Sequence, residues 1–242
     1  MINLKSIIWY ARQMIWLTNN LRETSKVKKM LKTHSAEECD KRIWSDAESW
    51  AKYIVHSTGS EVEVTGKENI ITDRPVLVVA NHQGYFDIPI LMGNMGFPIG
   101  FIAKTDLQKF PFLNDWMELI HCLFMDRSDM KQSIKVITEG IKQIKGGQSM
   151  VIFPEGTRSK GGPVAEFHAG SFKLATKSKA PIIPVTIDGS YKIMEEHKGN
   201  IKKSKVYLTI HKPIYTDTLT KEVQALLPET VRETITGAIK NA

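Results

Sequence analysis

Cysteine is nearly absent: Cys39 and Cys122 are the only two in 242 residues, and neither has companions at metal-ligand spacing. A disulfide framework and a zinc site therefore lack support, and a reducing, cytosolic setting fits the chain best. No stretch reaches the roughly 20 consecutive apolar residues that a membrane-spanning helix needs. No internal repeat and no low-complexity tract occurs, which argues against a repeat architecture. Gly156 and Gly161 have the Gly-x4-Gly spacing, but Gly162 stands where a phosphate-loop lysine should be. With no Gly-x-Gly-x-x-Gly as well, nucleotide binding fails on inspection. A Gly-x-Ser-x-Gly elbow is also missing, so a covalent acyl-serine enzyme has no evident nucleophile.

What is present is a chain 42% apolar with a net charge of +7, long enough to bury one sizeable core. The charge is unevenly placed. Residues 1–35 carry Lys5, Arg12, Arg22, Lys26, Lys28, Lys29 and Lys32 against Glu23 alone, so +6 of the +7 lies there. Such a segment suits an anionic partner. Aromatics and basic groups do not interleave on a recognisable nucleic-acid fold, so nucleic acid is not an expected partner.

Between those charges the same segment is apolar: Leu4, Ile7, Ile8, Trp9, Met14, Ile15, Trp16 and Leu17. At about 100° per residue, Lys5, Arg12 and Asn19 share one face and Trp9 and Trp16 another. An interfacial helix on a membrane is one reading. The other is packing on a second helix, residues 36–57, whose Ile43, Trp44, Ala47, Trp50, Ala51 and Ile54 recur at helical spacing. The two can coexist. A signal peptide is not expected, because Arg12 splits the apolar stretch and no small-residue cleavage site follows.

From residue 61 the pattern changes. Glu61–Thr65 alternates as a half-exposed strand should, and apolar β-rich runs follow at Val76–Ala80, Ile99–Ala103, Cys122–Met125, Met150–Phe153, Ile182–Ile187 and Val206–His211. Helical stretches lie between them near 88–95, 111–119, 130–145 and 169–179, with a closing helix near 219–240. His197–Lys205 reads as a surface loop. This order predicts an α/β fold, a largely parallel central sheet flanked by helices, with its functional loops after the strands. The expected division is a two-helix element over 1–58 and a catalytic domain over 59–242.

Directly after the apolar run Val76–Ala80 comes Asn81-His82-Gln83-Gly84-Tyr85-Phe86-Asp87. Five residues apart, His82 and Asp87 would stand about 140° from each other on one helix, so they meet only if the chain turns between them. Gly84 is the expected source of that freedom. A histidine held by a carboxylate at one nitrogen keeps the other basic and aimed, which is what removing a proton from a hydroxyl requires. Asp87 could equally be a helix N-cap, and His82 a solvated loop residue. A second run, Met150 to Ser159, ends in a loop that offers Glu155, Gly156, Thr157, Arg158 and Ser159, a set suited to a phosphate-bearing substrate. For Arg158 alone, a surface salt bridge is the plain alternative.

Together these residues resemble the glycerolipid acyltransferase family, in particular the bacterial 1-acylglycerol-3-phosphate acyltransferases, over residues 62–190. The blocks that carry the resemblance are Asn81 to Asp87, Phe124 to Arg127, Phe153 to Ser159 and Pro181 to Val185, in that order. Phe167, Gly170, Phe172 and Ala175 match a further run. The resemblance implies that His82 and Asp87 deprotonate an acceptor hydroxyl for attack on an acyl thioester. It implies that Glu155, Gly156, Thr157 and Arg158 hold the acceptor, with phosphate contacts from Lys104 and Arg127. It also implies that the two N-terminal helices dock on a membrane.

The chain departs from the family pattern at Asp106, where glutamate is usual, at His121, where glycine is, and at His168-Ala169, where a basic residue often stands. The expected donor is an acyl-CoA or acyl carrier protein thioester, with no cofactor and no metal. The expected partners are a lysophospholipid, an anionic membrane surface and acyl carrier protein, at the cytoplasmic face of the membrane. Another lysophospholipid or glycerol 3-phosphate as acceptor, and a non-enzymatic anionic-membrane binding module, are the alternatives.

Overall fold

The computed structural model of the chain describes residues 2–240; the side chains of residues 17–24, 28, 36, 111 and 112 lie outside that description. Asn19, Arg22 and Lys28 of the N-terminal segment are among them. Seven strands, β1 (Glu61–Thr65), β2 (Leu77–Ala80), β3 (Ile99–Lys104), β4 (Leu123–Met125), β5 (Ser149–Ile152), β6 (Ile182–Asp188) and β7 (Lys205–Ile210), form one sheet in the order β1-β7-β6-β2-β5-β3-β4. Every pairing is parallel except β6 with β7. That exception follows from its connection, Gly189 to Ser204, which makes a short 3-10 turn at Ser190–Ile193 but no crossover helix.

The helices are α1 (Leu4–Met30), α2 (Ala36–His56), α3 (Asp87–Asn94), α4 (Pro111–Leu119), α5 (Met130–Lys145), α6 (Lys173–Ser178) and α7 (Lys221–Thr236). Alternation along β2 assigns them to two layers. Val76, Val78 and Ala80 are buried with Trp44, Ala47 and Ala51 of α2 and with Ile90 and Leu91 of α3. Leu77 and Val79 are buried with residues of α5, α6 and α7 on the other face. A strand apolar on both sides is what a central parallel strand requires. By contrast β1, at the sheet edge, alternates exposed with half-buried residues, as its sequence does.

Two expected helices are shorter than their periodicity suggests. Residues 169–179 divide into a 3-10 turn, Ala169–Phe172, and α6, which ends where Lys179 adopts a left-handed φ of 63° ahead of Pro181. The closing helix starts at its cap, the Thr220 hydroxyl accepting from the Val223 N–H, and stops at Gly237.

At the N-terminus, α2 opens with a reciprocal capping box between Ser35 and Glu38, and its apolar side packs into the main core. The tryptophans of α1 also face inward. Trp9 donates from Nε1 to Ser57 Oγ at 2.8 Å and lies 6.1 Å from the Phe86 ring, while Trp16 stacks on Tyr53 and meets Trp50 at a tilt. Packing the largest rings removes the most apolar area from water. The aliphatic residues near the start of α1 are left out: Leu4 is 71% exposed, and Ile7, Ile8 and Met14 are all more than half exposed.

The lysine-rich loop is more than surface. It holds the start of α1 by one side chain and by backbone: Asn200 Oδ1 accepts from the Asn3 N–H, Ser6 Oγ accepts from the Ile201 N–H, and Tyr10 donates to the Gly199 carbonyl at 2.8 Å. Among the described residues no helix is long and apolar enough to cross a membrane.

Candidate active site

Three loops meet because three strands are neighbours. β2 and β5 run parallel with Val79 opposite Ile152, and β2 and β6 run parallel with Ala80 opposite Val185. The loops that follow them therefore leave the same sheet edge side by side, the expected location of a site in such folds. The Asn81 side chain fastens the first of these to β6, donating to the Ile187 carbonyl and accepting the Ile187 N–H, both at 2.8 Å.

His82 and Asp87 meet. His82 Nδ1 lies 2.6 Å from Asp87 Oδ2, and the same oxygen accepts the backbone N–H groups of Gln83 at 2.6 Å and Gly84 at 2.9 Å. Asp87 is fully buried, whereas the His82 side chain keeps 17% of its surface exposed. Oδ1 accepts the hydroxyl of Ser190, from the loop after β6. Asp87 is the first residue of α3, whose N-cap is Phe86, and its carboxylate turns back to the preceding loop instead of capping the helix. An ionised carboxylate only accepts, so His82 carries its proton on Nδ1 and leaves Nε2 as the basic nitrogen. The imidazole is stacked on Phe153 with ring centres 4.1 Å apart, which fixes the direction of Nε2.

Gly84 is required for a different reason from the one its sequence position suggests. It has no positive φ; a side-chain carbon there would lie 2.6 Å from the Glu195 carboxylate. Close approach, not turn freedom, selects glycine.

Glu155 is 5% exposed and both of its oxygens are taken by backbone. Oε1 accepts from the His82 N–H at 2.6 Å and Oε2 from the Ala165 N–H at 3.0 Å. Burial pushes its carboxyl above the usual range, and these two hydrogen bonds oppose the shift. The carboxylate is thus a clamp beneath the His82 loop. Gly156 has a φ of 79°, and a side chain there would meet the Arg127 guanidinium, which reaches in from the end of β4. His168 Nε2 lies at the same spot, 3.3 Å from where that side-chain carbon would be.

Arg158 does not stand free. Its guanidinium carbon lies 3.7 Å above the centre of the Tyr85 ring, and Nη1 is 3.7 Å from Glu195 Oε1. Thr157 is exposed in the same loop. Lys104 lies at the end of β3, two strands away from β2, and pairs with Asp106 at 2.5 Å, which Lys109 also contacts. The structure therefore brings Glu155, Gly156, Arg158 and Arg127 to the His82 loop and leaves Lys104 outside that cluster. His121 takes a left-handed φ of 60°, the conformation that favours glycine, with its ring 3.3 Å from Asp40.

Sequence reasoning missed Ser190, Glu195 and Tyr85. The loop after a central strand was the available signal for Ser190; nothing local points to Glu195. Among the described residues, no group of three or more histidine, cysteine or acidic side chains is placed to hold a metal ion.

An acyltransferase family model matches residues 61–188, just over half of the chain. The chain is 32% identical over 202 residues to a 1-acyl-sn-glycerol-3-phosphate acyltransferase of Saccharomyces cerevisiae, covering 81% of this chain and 66% of that protein. It is 37% identical over 158 residues to a probable 1-acyl-sn-glycerol-3-phosphate acyltransferase of Mycoplasma pneumoniae, covering 63% and 58%. The chain spans about half to two thirds of the length of such curated relatives. The crystal structure of a 1-acyl-sn-glycerophosphate acyltransferase from Thermotoga maritima superposes with a TM-score of 0.84 at 29% identity, over 97% of this chain and 92% of that one. The matched span contains the His82 and Arg158 loops, and the chain belongs to the acyltransferase family.

Proposed function

We propose that the chain transfers a fatty acyl group from an acyl thioester to the free hydroxyl of 1-acylglycerol 3-phosphate, giving phosphatidate. The observation that carries this reading is the contact between His82 Nδ1 and Asp87 Oδ2, made beside a loop that presents Arg158. In this scheme His82 Nε2 takes the hydroxyl proton as the oxygen attacks the thioester carbonyl. The carbon–sulfur bond then breaks, and the imidazolium returns the proton to the departing thiolate. While the imidazolium exists its charge is matched by that of buried Asp87, which stabilises it. The thioester is that of CoA or of acyl carrier protein.

Arg158 and Arg127 are the groups we assign to the acceptor phosphate, since a guanidinium can present two donors to two phosphate oxygens. The exposed aliphatic stripe of α1, flanked by the exposed Lys5 and Arg12, supports docking as a peripheral protein on an anionic membrane, at its cytoplasmic face. The relatives' names support lysophosphatidate as the acceptor.

The test is thiol release from acyl-CoA, and from acyl carrier protein thioester, with a panel of acceptors. The expected result is release that depends on lysophosphatidate and exceeds that with glycerol 3-phosphate or lysophosphatidylcholine. Release with another member of the panel alone would reassign the acceptor. No release from either donor, with vesicle binding intact, would make the chain a membrane-binding module.

A further inference from the structure

Glu195 lies in the segment after β6, outside every motif of the two catalytic loops. Its side chain is 5% exposed, yet it meets both loops. Oε1 accepts the Tyr85 N–H at 2.7 Å and stands 3.7 Å from Arg158 Nη1, while the Arg158 guanidinium carbon lies over the Tyr85 ring, 3.7 Å from its centre. Three loops, after β2, β5 and β6, thus close on one arginine. Oε2 is buried against Gly84 and has no hydrogen-bond partner among the described residues. A buried carboxylate oxygen left unsatisfied is costly, and such costs persist where a site demands them.

The separation matters. At 3.7 Å, Glu195 is a charge neighbour of Arg158 but not a hydrogen-bonded fork partner, so the donors of the guanidinium stay available to a ligand. An arginine side chain has many rotamers, and one laid between a ring and a carboxylate has already lost much of that freedom.

We infer that Glu195 is a positioning residue: it holds the Arg158 guanidinium over Tyr85, in the posture that reads the acceptor phosphate. The inference rests on the phosphate role proposed above for Arg158. Glu195 touches neither reacting atom and acts through Arg158 alone. Tyr85 is the platform, and its 56% exposure leaves room for a ligand over the pair.

The experiment is a double-mutant cycle on the full chain, Glu195→Gln and Arg158→Gln, with lysophosphatidate and acyl-CoA varied separately and folding checked by circular dichroism. Glu195→Gln should raise acceptor KM about threefold to tenfold, the span of a contact of this class, with kcat and donor KM nearly unchanged. On the Arg158→Gln background the same change should add nothing. Tyr85→Leu keeps the backbone N–H, lies at the surface and should repeat the rise; should Glu195→Gln fold poorly, Glu195→Asp, which draws the carboxylate back from Arg158 and keeps its charge, is read by the same criteria. An unchanged or lowered acceptor KM in Glu195→Gln, beside a raised one in Arg158→Gln, would overturn the inference alone. A Glu195 effect that persists undiminished without Arg158 would show a purely structural role and overturn it too. An unchanged acceptor KM in Arg158→Gln would remove the phosphate reading, and the inference with it.

Discussion

Asp87 and Glu155 show how one chemical group, a buried carboxylate, is put to two uses by its partners. Asp87 receives four donors, from His82, Gln83, Gly84 and Ser190, and in the proposed scheme it orients His82 as the base. Glu155 receives two backbone amides and ties the loop after β2 to the segment around Ala165. In Glu155→Gln one of those amides would face the NH2 group of the glutamine, and an unsatisfied buried donor costs about 1–3 kcal/mol. A lowered thermal or urea midpoint is therefore expected, with partial loss of turnover. The pH dependence also has a definite sign. Burial raises the Glu155 carboxyl above its ordinary value, so the folded state binds this proton more tightly than the unfolded chain does. Stability from this group is highest below the unfolded value near 4.5 and falls as pH rises through the folded value. Glu195, raised by burial in the same direction, contributes a second such slope. Urea midpoints measured from pH 4 to pH 7 should thus decline less steeply in Glu155→Gln than in the parent.

Among the elements, α1 illustrates what a helical period leaves open. The spacing of Trp9 and Trp16 defines a stripe, but both that stripe and Leu4, Ile7, Ile8 and Met14 are apolar, and periodicity alone cannot say which one meets the protein. The structure assigns the rings to packing and the aliphatics to the outside. Two substitutions separate the roles. Replacing Leu4, Ile7 and Ile8 together by serine should weaken sedimentation with anionic vesicles and leave the melting temperature in place. Trp9→Ala should instead lower stability by about 1–3 kcal/mol, since a half-buried ring and a hydrogen bond to Ser57 are lost. The reverse pattern, unfolding from the aliphatic set and lost vesicle binding with normal melting from Trp9→Ala, would turn the helix over. The loop that seats α1 also bears Glu195 at its start, and Tyr10 touches Met194 and Gly199 on either side of it. The seat of α1 and the seat of Arg158 therefore share one segment.

At the scale of the whole molecule, strand order turns scattered motifs into one site. The loops at 81–87, 153–159 and 189–195 come together because β2 lies between β5 and β6, and alternating strands and helices in the sequence already implied such a sheet. The His82 and Arg158 loops were legible for the same reason: each follows an apolar strand, and each concentrates polar residues in a few positions. Glu195 was not, because its partners Tyr85 and Arg158 are distant in sequence and no local pattern marks a residue that serves them. Lys104, at the end of β3, is held instead by its ion pair with Asp106. The central claim is that buried Asp87 makes His82 the base for acyl transfer. Its most direct test is single-turnover thiol release from acyl-CoA with lysophosphatidate by Asp87→Asn. Asparagine keeps an oxygen for the Gln83 and Gly84 amides, so the loop should hold while the negative charge is lost. The predicted result is a folded protein whose turnover is lower by about 10²–10⁴-fold, the usual contribution of general base catalysis. Near-normal turnover by well-folded Asp87→Asn would contradict the account.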